Sequence, residues 1–253
     1  MKIEISYPQK MDVLEVLSEI ISANPSIFSV KLLSVSPPPL LQDRAVLSSD
    51  EMDIISKGTA LRKNSRLPFW EAVLLSCFDS PFILDHILEA AMFHNQAVED
   101  WQILESARLN VESLRNLVMG VTSGEIITVS SRVCLNDGGT GHIPMLDFHC
   151  PISRENQNLV VSILKHMNVC DGFILNSDKS YHFYGKSLLT DEELVKFLGC
   201  SLLWSPIVDR AWIAHQLIEA SCALRISPKS QNTGLPQVVA RVTQSSLDDK
   251  KTD

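Results

Sequence analysis

The residues whose types and spacing could do chemistry fall between positions 147 and 229. Asp147-Phe148-His149 ends the run Ile143 to His149. Read as a strand, its period of two places Asp147 and His149 on one face and Leu146 and Phe148 on the other, toward a core. Residues two apart on a strand lie roughly 6.5 to 7 Å apart at Cα, so a carboxylate and an imidazole there can converge on one divalent ion. Ser180-Tyr181-His182 repeats the arrangement, offering a hydroxyl and an imidazole to a phosphate or a nucleotide while Tyr181 packs behind. Ile207-Val208-Asp209-Arg210 delivers an acid to the start of a further element. Arg225 stands alone on the polar face of the stretch Cys222 to Ser227, Lys229 adds a second positive charge, and Lys179 lies in the turn before Ser180; such residues suit an anionic ligand. Each motif also has a plain structural reading: a satisfied acid and histidine, a surface histidine on a hairpin, and a helix N-cap at Asp209.

The elements that must position these groups are legible in part. Residues 2–7 read as a strand and 11–23 as a helix, with Val13, Leu14, Leu17, Ile20 and Ile21 at helical spacing and Asn24-Pro25 as the stop. A strand over Ile27 to Ser34 runs into Ser36-Pro37-Pro38-Pro39, and the polar stretch up to Arg66 reads as a linker or long loop. Leu67 to Asn95 gives one or two apolar helices, and Val98 to Val118 a further one with Trp101, Leu104, Val111 and Leu114 on its stripe. Glu105 with Arg108 and Glu112 with Arg115 would support the wet face of that helix. From Gly124 the texture becomes mixed, which sets a domain boundary near residue 121. Ile126 to Cys134 alternates like a strand, and Asn136 to Gly141 reads as a hairpin turn, since no helix follows these glycines as a phosphate loop requires. Ser153 caps a helix, Phe173-Ile174-Leu175 and the stretch around His182 form two strands, and Thr190-Asp191-Glu192-Glu193 is a capping box opening another helix.

Composition bounds the class. With 253 residues, 45% hydrophobic and 21% charged, the chain can bury a sizeable core. No apolar run reaches the length of a membrane span or a secretory h-region, so the expectation is a soluble, cytoplasmic protein with no membrane contact. Six scattered cysteines without a C-x-x-C pair argue against a disulfide frame or a zinc ribbon. The formal charge of −8 disfavours a polyanion binder that works by bulk attraction. The deficit is uneven, however: residues 1–120 carry 10 Lys and Arg against 16 Asp and Glu, and residues 121–253 carry 12 against 14. A phosphate-binding surface therefore belongs in the second half.

Taken in order, an acid with a liganding neighbour two residues on, Ser-x-His, hydrophobic-Asp and a basic strand resemble the archaeo-eukaryotic primase superfamily, which includes primase-polymerases. Its first motif, usually Asp-x-Asp or Asp-x-Glu on a strand, corresponds to Asp147-Phe148-His149, its small-x-His motif to Ser180-Tyr181-His182, and its hydrophobic-Asp motif to Val208-Asp209. The resemblance spans about residues 121–241. It implies an α+β fold, a primase-like core with a mixed or antiparallel sheet flanked by helices. Outside the resemblance, residues 1–120 read as a mainly helical N-terminal region, α/β at first and then helical, of unknown role, and residues 242–253 as a disordered tail. The resemblance further implies a DNA-directed nucleotidyltransferase of replication or repair that binds nucleoside triphosphates, single-stranded or primed DNA, and Mg²⁺ or Mn²⁺. In that reading Asp147, His149 and Asp209 are catalytic and hold the metal, Ser180, His182, Arg225 and Lys229 hold the nucleotide, and residues 1–120 are free for a protein partner.

The departure is His149, an imidazole where the family places a second carboxylate. Mg²⁺ favours hard anionic oxygens and imidazole suits softer ions. Attenuated catalysis, or an inactive primase-fold module that binds nucleotide or DNA within a larger complex, is the alternative this implies. A reading of another class also stands at this point: His142, His149 and Cys150 with Cys134 as a structural zinc site in an interaction protein.

Overall fold

The fold comes from a computed structural model, which describes residues 3–7, 10–35, 48–65, 67–77, 80, 82–83, 86, 101–120, 125–229 and 233–244. Two compact units divide the chain: residues 1–35 with 98–253, and residues 36–97.

The larger unit opens with β1 (Ile3–Ser6), α1 (Val13–Ala23) and β2 (Ile27–Val35). Asp12 starts α1 with a capping box: its carboxylate accepts from the backbone N–H of Leu14 and Glu15, and Glu15 accepts from the backbone N–H of Asp12. Val13, Leu14, Val16, Leu17, Ile20 and Ile21 are buried, the stripe that the sequence spacing predicts. Later elements are β3 (Trp101–Glu105), β4 (Ile126–Leu135), β5 (Thr140–His142), β6 (Met145–Asp147), β7 (Gly172–Asn176), β8 (Tyr181–Gly185), β9 (Ala223–Arg225) and β10 (Gln237–Gln244). They form two sheets, one ordered β1-β10-β7-β8-β6 and the other β3-β2-β4-β5 with β9 also paired to β4. Every described strand pair is antiparallel. The fold is α+β, as the resemblance implies.

Both strands of the central hairpin are buried along nearly their whole length, so β7 and β8 show no alternation of apolar and polar residues. At Gly172 any Cβ would lie 2.5 Å from the Phe183 ring and the Tyr184 carbonyl, so only glycine lets β7 approach β8 here. Against the sheets pack α4 (Val111–Met119), α5 (Arg154–His166), α6 (Asp191–Ser201) and α7 (Arg210–Glu219), their apolar faces joining one continuous core. Thr190 and Glu193 form the expected capping box of α6, and Ser153 caps α5. The turn Asn136 to Gly139 closes the β4–β5 hairpin, with Gly138 at φ +83.

Several sequence expectations change. The boundary near residue 121 falls inside the larger unit: β1 pairs with β10 and β2 with β4, so the first 35 residues, strand, helix and strand as expected, complete the sheets and do not belong to a separate N-terminal region. The helix expected over 98–118 begins as strand β3, drawn into register with β2 from Ser29↔Glu105 to Leu33↔Trp101, and continues through a 3-10 turn at Ser106–Arg108 before α4 starts at Val111; Val98 lies outside the described residues. Arg115 reaches Asp12 at 2.7 Å in place of Glu112. Val242 to Gln244, expected in the tail, pair with β1 in β10; residues 245–253 lie outside the described residues.

In the smaller unit, the stretch expected as a loop contains α2 (Ser49–Ser65), followed by α3 (Phe69–Ser76). Its buried face is only Glu51, Ile54 and Gly58, too narrow to show as a period. The signal that did exist was Ser48-x-x-Glu51: the Ser48 N–H donates to Glu51 at 2.6 Å and the Glu51 N–H to the Ser48 hydroxyl at 3.3 Å. Asp50 and Glu51 in its first turn and Arg62 and Lys63 in its last complement the helix dipole. The rest of the helical stretch expected up to Asn95 falls largely outside the described residues.

Candidate active site

Three adjacent lengths of backbone build the site. β6 pairs with β8 so that Asp147 lies directly opposite His182. On its other side the chain at 207–209 runs antiparallel to it: Phe148 bridges Val208, the His149 N–H donates to the Ile207 carbonyl at 2.7 Å and the Asp209 N–H to the Asp147 carbonyl at 3.0 Å. Residues opposite one another on neighbouring strands point to the same face. His182, Asp147 and Asp209 therefore form one row, with His149 beside it. Behind the row Leu146, Phe148, Tyr181 and Phe183 are buried, as alternation predicts.

The row is close but not closed. His182 Nε2 lies 3.7 Å from Asp147 Oδ1, and His149 Nδ1 lies 3.7 Å from Asp209 Oδ2, both too long for hydrogen bonds. Asp147 Oδ1 and His182 Nδ1 are buried without a hydrogen-bond partner among the described residues, an arrangement that costs free energy. Burial, helped by repulsion from Asp209, pushes the Asp147 carboxyl up to about 8, with Arg225 and Lys229 opposing the rise. Burial, with the nearby Arg225 charge, brings the His182 imidazole down to about 3. At neutral pH both groups are uncharged. His149 is largely exposed, its side chain at 77%.

Asp209 fulfils its structural reading as well: Oδ1 caps α7 by accepting from the Trp212 N–H at 3.0 Å, which leaves Oδ2 turned toward His149. Ser180 is half-buried at the entry to β8, its hydroxyl 3.4 Å from that of Ser177. Arg225 comes from β9, which pairs with β4 in the other sheet, and the Tyr184 hydroxyl of β8, 3.5 Å away, donates to its carbonyl. Its guanidinium is already engaged, donating from Nη2 to the Ser177 carbonyl and to Asp178 Oδ2, each at 2.9 Å, and from Nη1 to the Ser227 carbonyl. Lys229 and Lys179 are exposed. Asp178 is the site residue that sequence reasoning missed; it read as part of a turn, and nothing in the chain pattern ties it to an arginine 47 positions on.

The zinc reading fails on His142. Its two ring nitrogens are spent on the Ser131 hydroxyl at 3.2 Å and on Asp191 at 2.8 Å, and Cys134 is exposed while Cys150 is buried. Among the described residues, no helix is long and apolar enough to cross a membrane.

An antiparallel sheet that presents Asp-x-His, Ser-x-His and hydrophobic-Asp as one row defines the class of protein as primase-like. The family model described as archaeo-eukaryotic primase 1D-like matches residues 105–236, just over half of the chain and every motif above, and the chain belongs to that family. No curated protein and no solved structure matches it.

Proposed function

We propose that the chain is a primase/polymerase-like nucleotidyltransferase whose row His182–Asp147–Asp209 binds a nucleoside triphosphate together with Mg²⁺ or Mn²⁺, on single-stranded or primed DNA. The observation that carries this reading is the row itself, with buried polar atoms in it that have no partner. Among the described residues no three His, Cys, Asp or Glu side chains already converge to hold an ion. Mg²⁺ is ordinarily bound through one or two carboxylates, its shell completed by substrate phosphate oxygens and water. Asp147 and Asp209 are the residues to hold it, with His149 alongside. When bound, the ion would neutralise charge on the attacking and leaving oxygens of an in-line transfer.

The chain's own groups have definable parts. Asp147 must give up the proton that burial makes it keep before it can act as an anionic ligand. His182, neutral, and the Ser180 hydroxyl offer hydrogen bonds to phosphate oxygens. Arg225 and Lys229 supply the positive charge in an otherwise acidic molecule. His149 replaces an oxygen anion by a softer neutral ligand, which favours Mn²⁺ over Mg²⁺ and lowers the turnover expected with Mg²⁺. It also favours the second reading, a primase-fold module that binds nucleotide or DNA with its chemistry lost.

Calorimetry with dNTPs and rNTPs in each ion, beside a primer-extension assay, separates the two. We expect nucleotide binding that is tighter with Mn²⁺ and lost in Asp147→Ala, and extension with Mg²⁺ that rises in His149→Asp. Extension absent from both the wild type and His149→Asp, with binding intact, selects the inactive module. No nucleotide binding in either ion overturns the first reading and leaves of the second only its DNA-binding form.

A further inference from the structure

Arg225 is held by two kinds of group. The Ser177 and Ser227 carbonyls are backbone atoms that aim the guanidinium, and Asp178 is the anion paired with it, 2.9 Å from Nη2. Asp178 stands at the tip of the β7–β8 hairpin with φ +86, in the left-handed region that side chains rarely adopt. The turn holds it there: the Ser177 N–H donates to the Ser180 carbonyl at 3.0 Å, and the Asp178 N–H to the Asn176 side chain at 2.9 Å. The backbone of this hairpin runs directly into Ser180 and His182. Arg225, with only 11% of its side chain exposed, lies near enough for its charge to act on Asp147 and His182.

We propose that Asp178 is an internal competitor for the anion site: its carboxylate sits on the Arg225 fork where a ligand phosphate would sit, and must swing away when phosphate binds. This rests on the nucleotide reading of the same site. The carbonyls keep the arginine aimed throughout, so only one exposed side chain on a hairpin tip has to move. A phosphate is a good replacement, since it accepts the same forked hydrogen bonds and carries more charge than a carboxylate. Asp178 thereby sets how tightly the chain holds a phosphate ligand, and keeps Arg225 neutralised when none is bound.

Titration calorimetry with tripolyphosphate, and separately with a nucleoside triphosphate, tests this on wild type, Asp178→Asn, Asp178→Gly, Arg225→Lys and the double variant Asp178→Asn/Arg225→Lys, with melting curves to confirm folding. Glycine tolerates the φ of residue 178, so that variant keeps the test open if the asparagine variant folds poorly. We expect both single Asp178 variants to bind about tenfold more tightly, the worth of one charge-assisted hydrogen bond, and the gain to vanish in the double variant. Unchanged or weaker binding in both Asp178 variants overturns the proposal, as does a gain that survives Arg225→Lys. Nucleotide binding that ignores both positions overturns it while leaving the nucleotide reading intact. An absence of nucleotide binding in every variant overturns the two together.

Discussion

Two buried histidines, each facing an aspartate, stand in the same unit and have opposite fates. His142 is completely enclosed and its nitrogens are both used: the Ser131 hydroxyl, itself accepting from the Cys222 N–H at 2.8 Å, donates to Nδ1, and Nε2 donates to Asp191 at the start of α6. His182 is nearly as buried, yet among the described residues its Nδ1 has no hydrogen-bond partner, and its Nε2 stops 3.7 Å short of Asp147. The first pair ties a helix to a sheet. The second is left open at a cost in stability, which a ligand can repay and a purely structural contact would not. A histidine and an acid brought together thus say little about function; whether their hydrogen bonds are spent says more.

The comparison breaks most readily on stability. Replacing His142 by Leu leaves the buried Ser131 hydroxyl without its acceptor, and should cost about 1 to 3 kcal/mol. Replacing His182 by Leu removes a buried ring with no hydrogen bond to lose, so the expected change is within about 1 kcal/mol of zero. Urea unfolding of both variants decides the matter, and equal losses would mean that the open pair is structural too.

A second test uses pH at Asp147. Its folded value of about 8 lies above the unfolded carboxylate value near 3.9, so the folded state holds a proton that the unfolded state has released, and stability falls as pH rises across that window. His182, brought down to about 3, acts oppositely, adding stability with rising pH only until the unfolded imidazole titrates near 6.5. Between pH 6.5 and 8 Asp147 acts alone. Asp147→Asn should therefore gain on the wild type by about 1 to 2 kcal/mol between those values in the absence of divalent ions. Parallel melting curves for the two proteins over this range would show that the Asp147 carboxyl is not held neutral.

How much of this was legible varies with the range of the interaction. The row could be foreseen because strand alternation and chain order suffice for it: Asp147, His149 and His182 need only share a face, and Asp209 only has to follow an apolar pair. The hairpin of β7 and β8 and the α6 capping box rest on similarly local signals. What failed was long-range. β3 carries apolar residues at helical spacing, and only its pairing with β2, some 70 residues earlier in the chain, makes it a strand. The contribution of β1 and β10 to one sheet joins the two ends of the chain, which no window of sequence displays. Likewise Arg225 read as a free cation because its partner sits in a turn whose geometry depends on a positive φ at Asp178.

The smallest effect concerns the spent pair. The hydrogen bond from His142 holds the Asp191 carboxyl below the usual carboxylate range, with the nearby Arg132 charge adding to it. A depressed acid stabilises the fold above its unfolded value, and that stability is lost as pH falls through the folded value. Asp191 is exposed, so solvent screens the gain and the effect should be slight. Asp191→Asn should lower the melting temperature modestly at pH 6 to 7, and the difference should close under acid conditions as the wild-type carboxyl protonates. In a His142→Leu background the same substitution should do nothing, because the bond it weakens is already gone. A loss of equal size in both backgrounds would assign the effect to the negative charge near the N-terminus of α6 and not to the histidine, leaving the Ser131 hydroxyl as the only partner that His142 needs.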